Sequence, residues 1–157
     1  MKKLIVLLAL VSFALVVTAA DDMNYVCVGG KTYFSKDVKI GLTNARIVTE
    51  NGMTLKAPLK NVDSYMVNGR YWERLPLICN DGKEKGTALM EFITQRNGLR
   101  LYKYNTSSEN SDLGCQFYDK SNFKTMYFVY KDGKLYLRID AKNAETAFPF
   151  FGVKIKK

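Results

Sequence analysis

Apolar and polar residues alternate with a period of two through most of this chain, most plainly in Phe123 to Asp140, FKTMYFVYKDGKLYLRID, where two such runs flank Asp132-Gly133. Asp-Gly accepts the positive φ angles of a two-residue type I′ turn, so the stretch predicts a β-hairpin. In that register Lys131 pairs with Lys134, Val129 with Tyr136 and Tyr127 with Arg138. Between them fall Tyr130 with Leu135, Phe128 with Leu137 and Met126 with Ile139. Met126, Phe128, Tyr130, Leu135, Leu137 and Ile139 then form one apolar face. Tyr127, Lys131, Lys134, Tyr136 and Arg138 make the other aromatic and cationic, with Val129 as the one misfit.

The same grammar runs from Asn24 to Thr106, punctuated by Gly29-Gly30, Asn51-Gly52, Asn68-Gly69, Asp81-Gly82 and Asn97-Gly98. The first turn sets Cys27 against Thr32 and Tyr25 against Phe34. Around Asn51-Gly52, Val48 faces Leu55, and Val48, Met53, Leu55 and Ala57 look inward while Thr49 and Thr54 pair outside. In VDSYMVNGRYWERL, Tyr65 falls opposite Trp72 and Asp63 opposite Arg74, an exposed pair worth under about 1 kcal/mol. Residues 87–96 read either as a helix, with Ala88, Leu89, Phe92, Ile93 and Arg96 as a stripe, or as a strand of a hairpin turning at Asn97-Gly98. Phe92, Ile93 and Thr94 favour the strand, although that register sets Phe92 against Lys103. Near the end, Asn143 caps a short helix through Phe148 that Pro149 terminates, Phe148, Phe150 and Phe151 plug the core, and Phe151, Val153 and Ile155 alternate as a closing strand. The pattern therefore predicts an all-β fold, an antiparallel meander of about ten to twelve short strands curled into a small barrel or sandwich, with one short C-terminal helix.

Composition changes this picture at the N-terminus first. Lys2 and Lys3, an apolar run from Leu4 to Val17 and the small residues Thr18, Ala19 and Ala20 read as a signal peptide spanning 1–20, which leaves 21–157 as a single β-rich domain. The expected destination is periplasmic or extracellular, and no transmembrane segment is expected in the mature chain. The chain's net charge of +9 favours anionic partners: an anionic glycan, lipopolysaccharide or a lipid headgroup, with nucleic acid not expected for an exported protein. Export also implies an oxidising compartment for Cys27, Cys79 and Cys115. Cys79 and Cys115 both abut polar turns and are the expected disulfide, leaving Cys27 as a buried small hydrophobe.

The candidate chemistry is narrow because the sequence has no histidine. That removes Ser-His-Asp and Cys-His nucleophile activation and histidine zinc sites, and three dispersed cysteines cannot supply a four-thiolate zinc site. No metal site and no cofactor are expected; Ser108, Asn110 and Asp112 echo a calcium loop only until Leu113 takes the place of its glycine. A carboxylate-dependent glycan hydrolase would need two of Asp63, Glu73 and Glu91 close together. Basic and aromatic side chains alternating on strands remain: Arg100, Tyr102 and Tyr104 on one, Tyr127, Lys131, Lys134, Tyr136 and Arg138 on another, with the Tyr65/Trp72 pair as a stacking platform or an edge of the core. Such faces suit sugars by ring stacking and anions by cation contact. They also suit ordinary solvated sheet surface.

With KNVDSYMVNGRYWERLPL, GLRLYKY and YKDGKLYLRIDAKNAETAFPFFG on the page, the chain resembles a group of small exported bacterial β-rich proteins of unassigned function. That resemblance covers most of residues 30–152 and implies an envelope-associated β fold and no site residues. The sequence thus leads to a non-catalytic exported module that binds an anionic or glycan ligand through Tyr127, Lys131, Lys134, Tyr136 and Arg138, with Tyr65 and Trp72. The alternative is a small β-barrel that carries an apolar ligand.

Overall fold

A computed structural model of the chain describes residues 23–79, 82–105 and 125–154. The leader expected at 1–20, the calcium-like loop, Cys115 and Ile155 lie outside the described residues.

Among the described residues ten strands form one antiparallel sheet: β1 (Tyr25–Val28), β2 (Lys31–Ile40), β3 (Asn44–Thr49), β4 (Thr54–Pro58), β5 (Val62–Val67), β6 (Arg70–Ile78), β7 (Glu84–Arg96), β8 (Leu99–Asn105), β9 (Thr125–Lys131) and β10 (Lys134–Ile139), followed by one helix, α1 (Ala144–Phe150). The all-β expectation holds, and 87–96 is strand. The order β10-β9-β8-β7-β6-β5-β1-β2-β3-β4 is two meanders rather than one. Strand β1 pairs with both β2 and β5, so the chain leaves β4 through a single 3-10 turn at Leu59–Asn61 and returns to the middle of the sheet. Among the described residues strands β4 and β10 each have one neighbour, and the sheet is not closed into a barrel.

The turn residues explain the pairing. Asn68, Asn97 and Asp132 adopt φ of 52°, 51° and 49°, each followed by a glycine with positive φ, which is the type I′ geometry whose twist matches the flanking strands. Asn51-Gly52 departs from it: only Gly52 has positive φ, Thr49 N–H donates to the Met53 carbonyl, and the loop is longer than two residues. The register therefore slips by one, pairing Val48 with Thr54 and Ile47 with Leu55. Ala45, Ile47 and Ala57 are buried and Met53 is exposed, which corrects the inward placement of Val48 and Met53.

Two β-bulges correct the other expected registers. In β7 and β8, Phe92 pairs with Tyr102 and Thr94 with Leu101, so Ile93 is the extra residue. In β9 and β10, Leu135 pairs with Tyr130 but Leu137 pairs with Val129, so Tyr136 is extra. A bulge lets an apolar run that is out of phase with its partner recover its facing without breaking the strand. It places Val129 with Leu137 and Ile139 on a second apolar face, where it is no misfit.

Both faces of the sheet carry core. On the first, Leu75, Leu77, Ala88, Met90, Tyr102, Tyr104, Phe128 and Tyr130 pack together. Across it the Tyr130 hydroxyl donates to the Pro76 carbonyl at 2.6 Å, and Arg138 donates to the carbonyls of Ile78 and Cys79 at 2.8 and 2.9 Å; these bonds curl β9 and β10 towards β6. On the second face, Val26, Val38, Ala45, Ile47, Leu59, Val62 and Tyr65 form one cluster with Trp72 and Leu89 against it. Leu101, Val129 and Phe151 form another. Phe151 reaches it from the end of α1, while Phe148 meets Tyr127 edge to face at 4.9 Å. Pro149 lies inside α1 rather than ending it, and Asn143 makes no side-chain cap. Its amide instead binds the Arg138 carbonyl and the Asp140 N–H. Phe151 to Lys154 form no strand.

Candidate functional site

The hairpin residues expected to share one ligand face are divided by the Tyr136 bulge. Lys131, Lys134 and Tyr136 are exposed. Tyr127 packs beneath α1 on the second face. Arg138 pairs in register with Phe128 and lies over its ring at 5.7 Å on the first face, where its guanidinium donates to the Ile78 and Cys79 carbonyls at the end of β6. The five side chains make no common surface.

Tyr65 and Trp72 do come together. They are cross-strand partners and stack with ring centroids 4.6 Å apart and planes 13° from parallel, a preferred offset geometry. Tyr65 is buried and Trp72 half-buried. The pair lines a cleft of about 330 Å³ on the second face, between the β2–β3 turn at Ile40, Gly41 and Leu42 and the strands β7 and β8. Leu59 and Leu89 extend its apolar wall, and Glu91, Lys103 and Asn105 bring polar groups to it. Leu42, at the lip, is 68% exposed.

The charges of the cleft are set by register. Glu91 lies on β7 between Trp72 on β6 and Lys103 on β8, and its side chain is 10% exposed. Both its oxygens accept from Arg70, from Nε and Nη2 at 2.7 Å each, the fork geometry that makes arginine a strong carboxylate partner. Arg70 also lies over the Trp72 ring at 5.0 Å. The carboxylate is therefore neutralised, and Lys103, half-buried beside it, makes no hydrogen bond or ion pair among the described residues. What remains among the described residues is a concave apolar and aromatic wall with one unpaired cation. Sequence reasoning passed over Lys103, Arg70 and Asn105 because it sought chemistry in Tyr102 and Tyr104. Those are core, and their burial is what turns Lys103, one residue out of phase, towards the cleft.

A second polar cluster sits on the opposite face. Glu73 accepts from Arg100 at 2.7 Å, from Tyr71 at 3.2 Å and from the Tyr102 hydroxyl. Arg100 stacks over Phe92 and Tyr102 at 4.9 and 5.3 Å. Burial, then the adjacent Glu73 charge, pushes the Tyr71 hydroxyl up to about 12. Burial, with the Glu73 hydrogen bond next, holds Tyr102 well above the ordinary tyrosine range. These groups pair with one another, leaving the buried Arg100 Nε without a hydrogen-bond partner among the described residues, and the cluster reads as structural.

The three carboxylates weighed for hydrolysis do not converge. Asp63 accepts from the Gly30 N–H at 2.7 Å and from the Cys27 thiol at 3.7 Å, while Arg74 turns to the backbone carbonyls of Val62 and Leu59, so the expected Asp63/Arg74 pairing is replaced. Glu73 and Glu91 lie on opposite faces of the sheet, since Glu73 pairs with Met90 and Glu91 with Trp72. Cys79 is disulfide-bonded and Cys27 is a free, half-buried thiol; Cys115, the expected partner of Cys79, lies outside the described residues. Among the described residues no cluster of three His, Cys, Asp or Glu side chains could hold a metal ion, and no helix is long and apolar enough to cross a membrane. In comparisons with known proteins, no family model, no curated protein and no solved structure matches this chain.

Proposed function

We propose that the protein is an exported, non-catalytic module that binds an acidic glycan in the cleft walled by Tyr65 and Trp72. The carrying observation is the half-buried Lys103, unpaired among the described residues and set among apolar and aromatic wall residues. A sugar ring presents C–H surface suited to Trp72, Leu89 and Leu59, hydroxyls suited to Asn105, and in an acidic sugar a carboxylate, sulfate or phosphate suited to Lys103. The basic chain, at +9, draws such polymers to the surface in a salt-dependent way. Export rests on the leader-like N-terminus, and a periplasmic or extracellular site follows from it. Among the described residues the sheet is open and encloses no barrel interior, which favours this cleft over the carriage of an apolar molecule.

The test is calorimetric titration with trigalacturonate and with its fully methyl-esterified form, on the wild type and on Trp72→Ala. The proposal expects the free acid to bind, the ester to bind at least about tenfold more weakly, and Trp72→Ala to weaken both. Equal affinity for acid and ester ends the acidic-ligand reading.

A further inference from the structure

We infer that Arg70 is a positioning residue whose task is to keep Glu91 away from Lys103, so that the cation of the cleft stays available to a ligand. The inference rests on the binding reading above for its consequence, but its physical content is independent of any ligand. Glu91 and Lys103 are direct cross-strand partners on β7 and β8, and both line the cleft. Opposite charges in that relation sit with β-carbons about 5 Å apart and ordinarily pair. Here they do not, because both Glu91 oxygens are taken by the Arg70 fork at 2.7 Å. Arg70 comes from the start of β6, diagonal to Glu91, and is placed by the Asn68-Gly69 turn immediately before it. Its guanidinium rests at 5.0 Å from the Trp72 ring, which fixes the fork in the plane the carboxylate needs.

Glu91 is therefore a latent internal competitor for the ligand's anionic group. With Arg70 in place its charge is spent, and among the described residues the cleft presents Lys103 as its unpaired cation. Without Arg70 the same carboxylate, on a side chain 10% exposed, has Lys103 as its adjacent cation and closes the anion site by occupying it.

Three proteins decide the matter: wild type, Arg70→Gln and the double variant Arg70→Gln/Glu91→Gln. Two readouts are taken, the rate of Lys103 acetylation by dilute acetic anhydride, followed by peptide mass spectrometry without ligand, and affinity for trigalacturonate. The inference expects Arg70→Gln to slow Lys103 acetylation several-fold relative to Lys131 and Lys134 in the same molecule, and to weaken binding about tenfold. It expects the double variant to recover both. Unchanged Lys103 reactivity in Arg70→Gln overturns the inference, as does a loss that the double variant fails to recover, which would mark Arg70 as merely structural. If wild type does not bind trigalacturonate, the binding proposal fails while the acetylation readout still decides the role of Arg70.

Discussion

At the scale of single residues, the tyrosine hydroxyls around Glu73 make the clearest statement about stability. Tyr71 in the folded protein holds its proton up to about 12 against an ordinary value of 10.0, and Tyr102 is raised in the same direction. Between these values the unfolded chain has released protons that the native state keeps, so stability falls as pH rises. Full stabilisation from these groups is present below pH 10 and drains away above it. Thermal melts from pH 9 to 12 should show a steep loss of Tm beginning near pH 10, and Tyr71→Phe with Tyr102→Phe should flatten it. Glu73→Ala takes the carboxylate acceptor from Arg100, from the half-buried Tyr71 hydroxyl and from the buried Tyr102 hydroxyl. It should cost about 2 to 3 kcal/mol in urea unfolding at neutral pH, whereas Lys134→Glu, exposed on the β9–β10 turn, should change stability by less than about 0.5 kcal/mol.

Elements are where the sequence spoke most clearly and where it misled. Asn68-Gly69, Asn97-Gly98 and Asp132-Gly133 announce hairpins because the turn chemistry is local, and all three form as type I′ turns. The bulges at Ile93 and Tyr136 were signalled only by conflicts: Phe92 set against Lys103, and Val129 among polar neighbours. In each case the apolar pattern of one strand was out of phase with its partner, and tertiary packing on the far face, not turn chemistry, decided which residue was extruded. That is why the Tyr127/Lys131/Lys134/Tyr136/Arg138 face dissolved while the Tyr65/Trp72 pair, read from an unbulged stretch, survived. The far-face packing depends on α1. Phe151→Ala removes the side chain that the helix end inserts against Leu101 and Val129, and should cost about 3 kcal/mol by chemical denaturation. Arg138→Met should also destabilise, by about 2 kcal/mol, because it unlinks β10 from the Ile78 and Cys79 carbonyls.

For the whole molecule, two meanders share one sheet, and the return of the chain from β4 to β5 beside β1 was invisible to local patterning because pairing between distant strands leaves no turn signature. This return matters for the cleft, since it brings the β2–β3 turn and Leu59 over the face that carries Trp72, Glu91 and Lys103. A site built from strands β2, β5, β6, β7 and β8 can be assembled only by the complete topology. The measurement that bears on it most directly is calorimetric titration of Lys103→Met with trigalacturonate at low and physiological salt. We expect Lys103→Met to lose at least about tenfold in affinity at both salt concentrations, with unfolding free energy within about 1 kcal/mol of wild type. Affinity that matches wild type at both concentrations would contradict the assignment of this cleft.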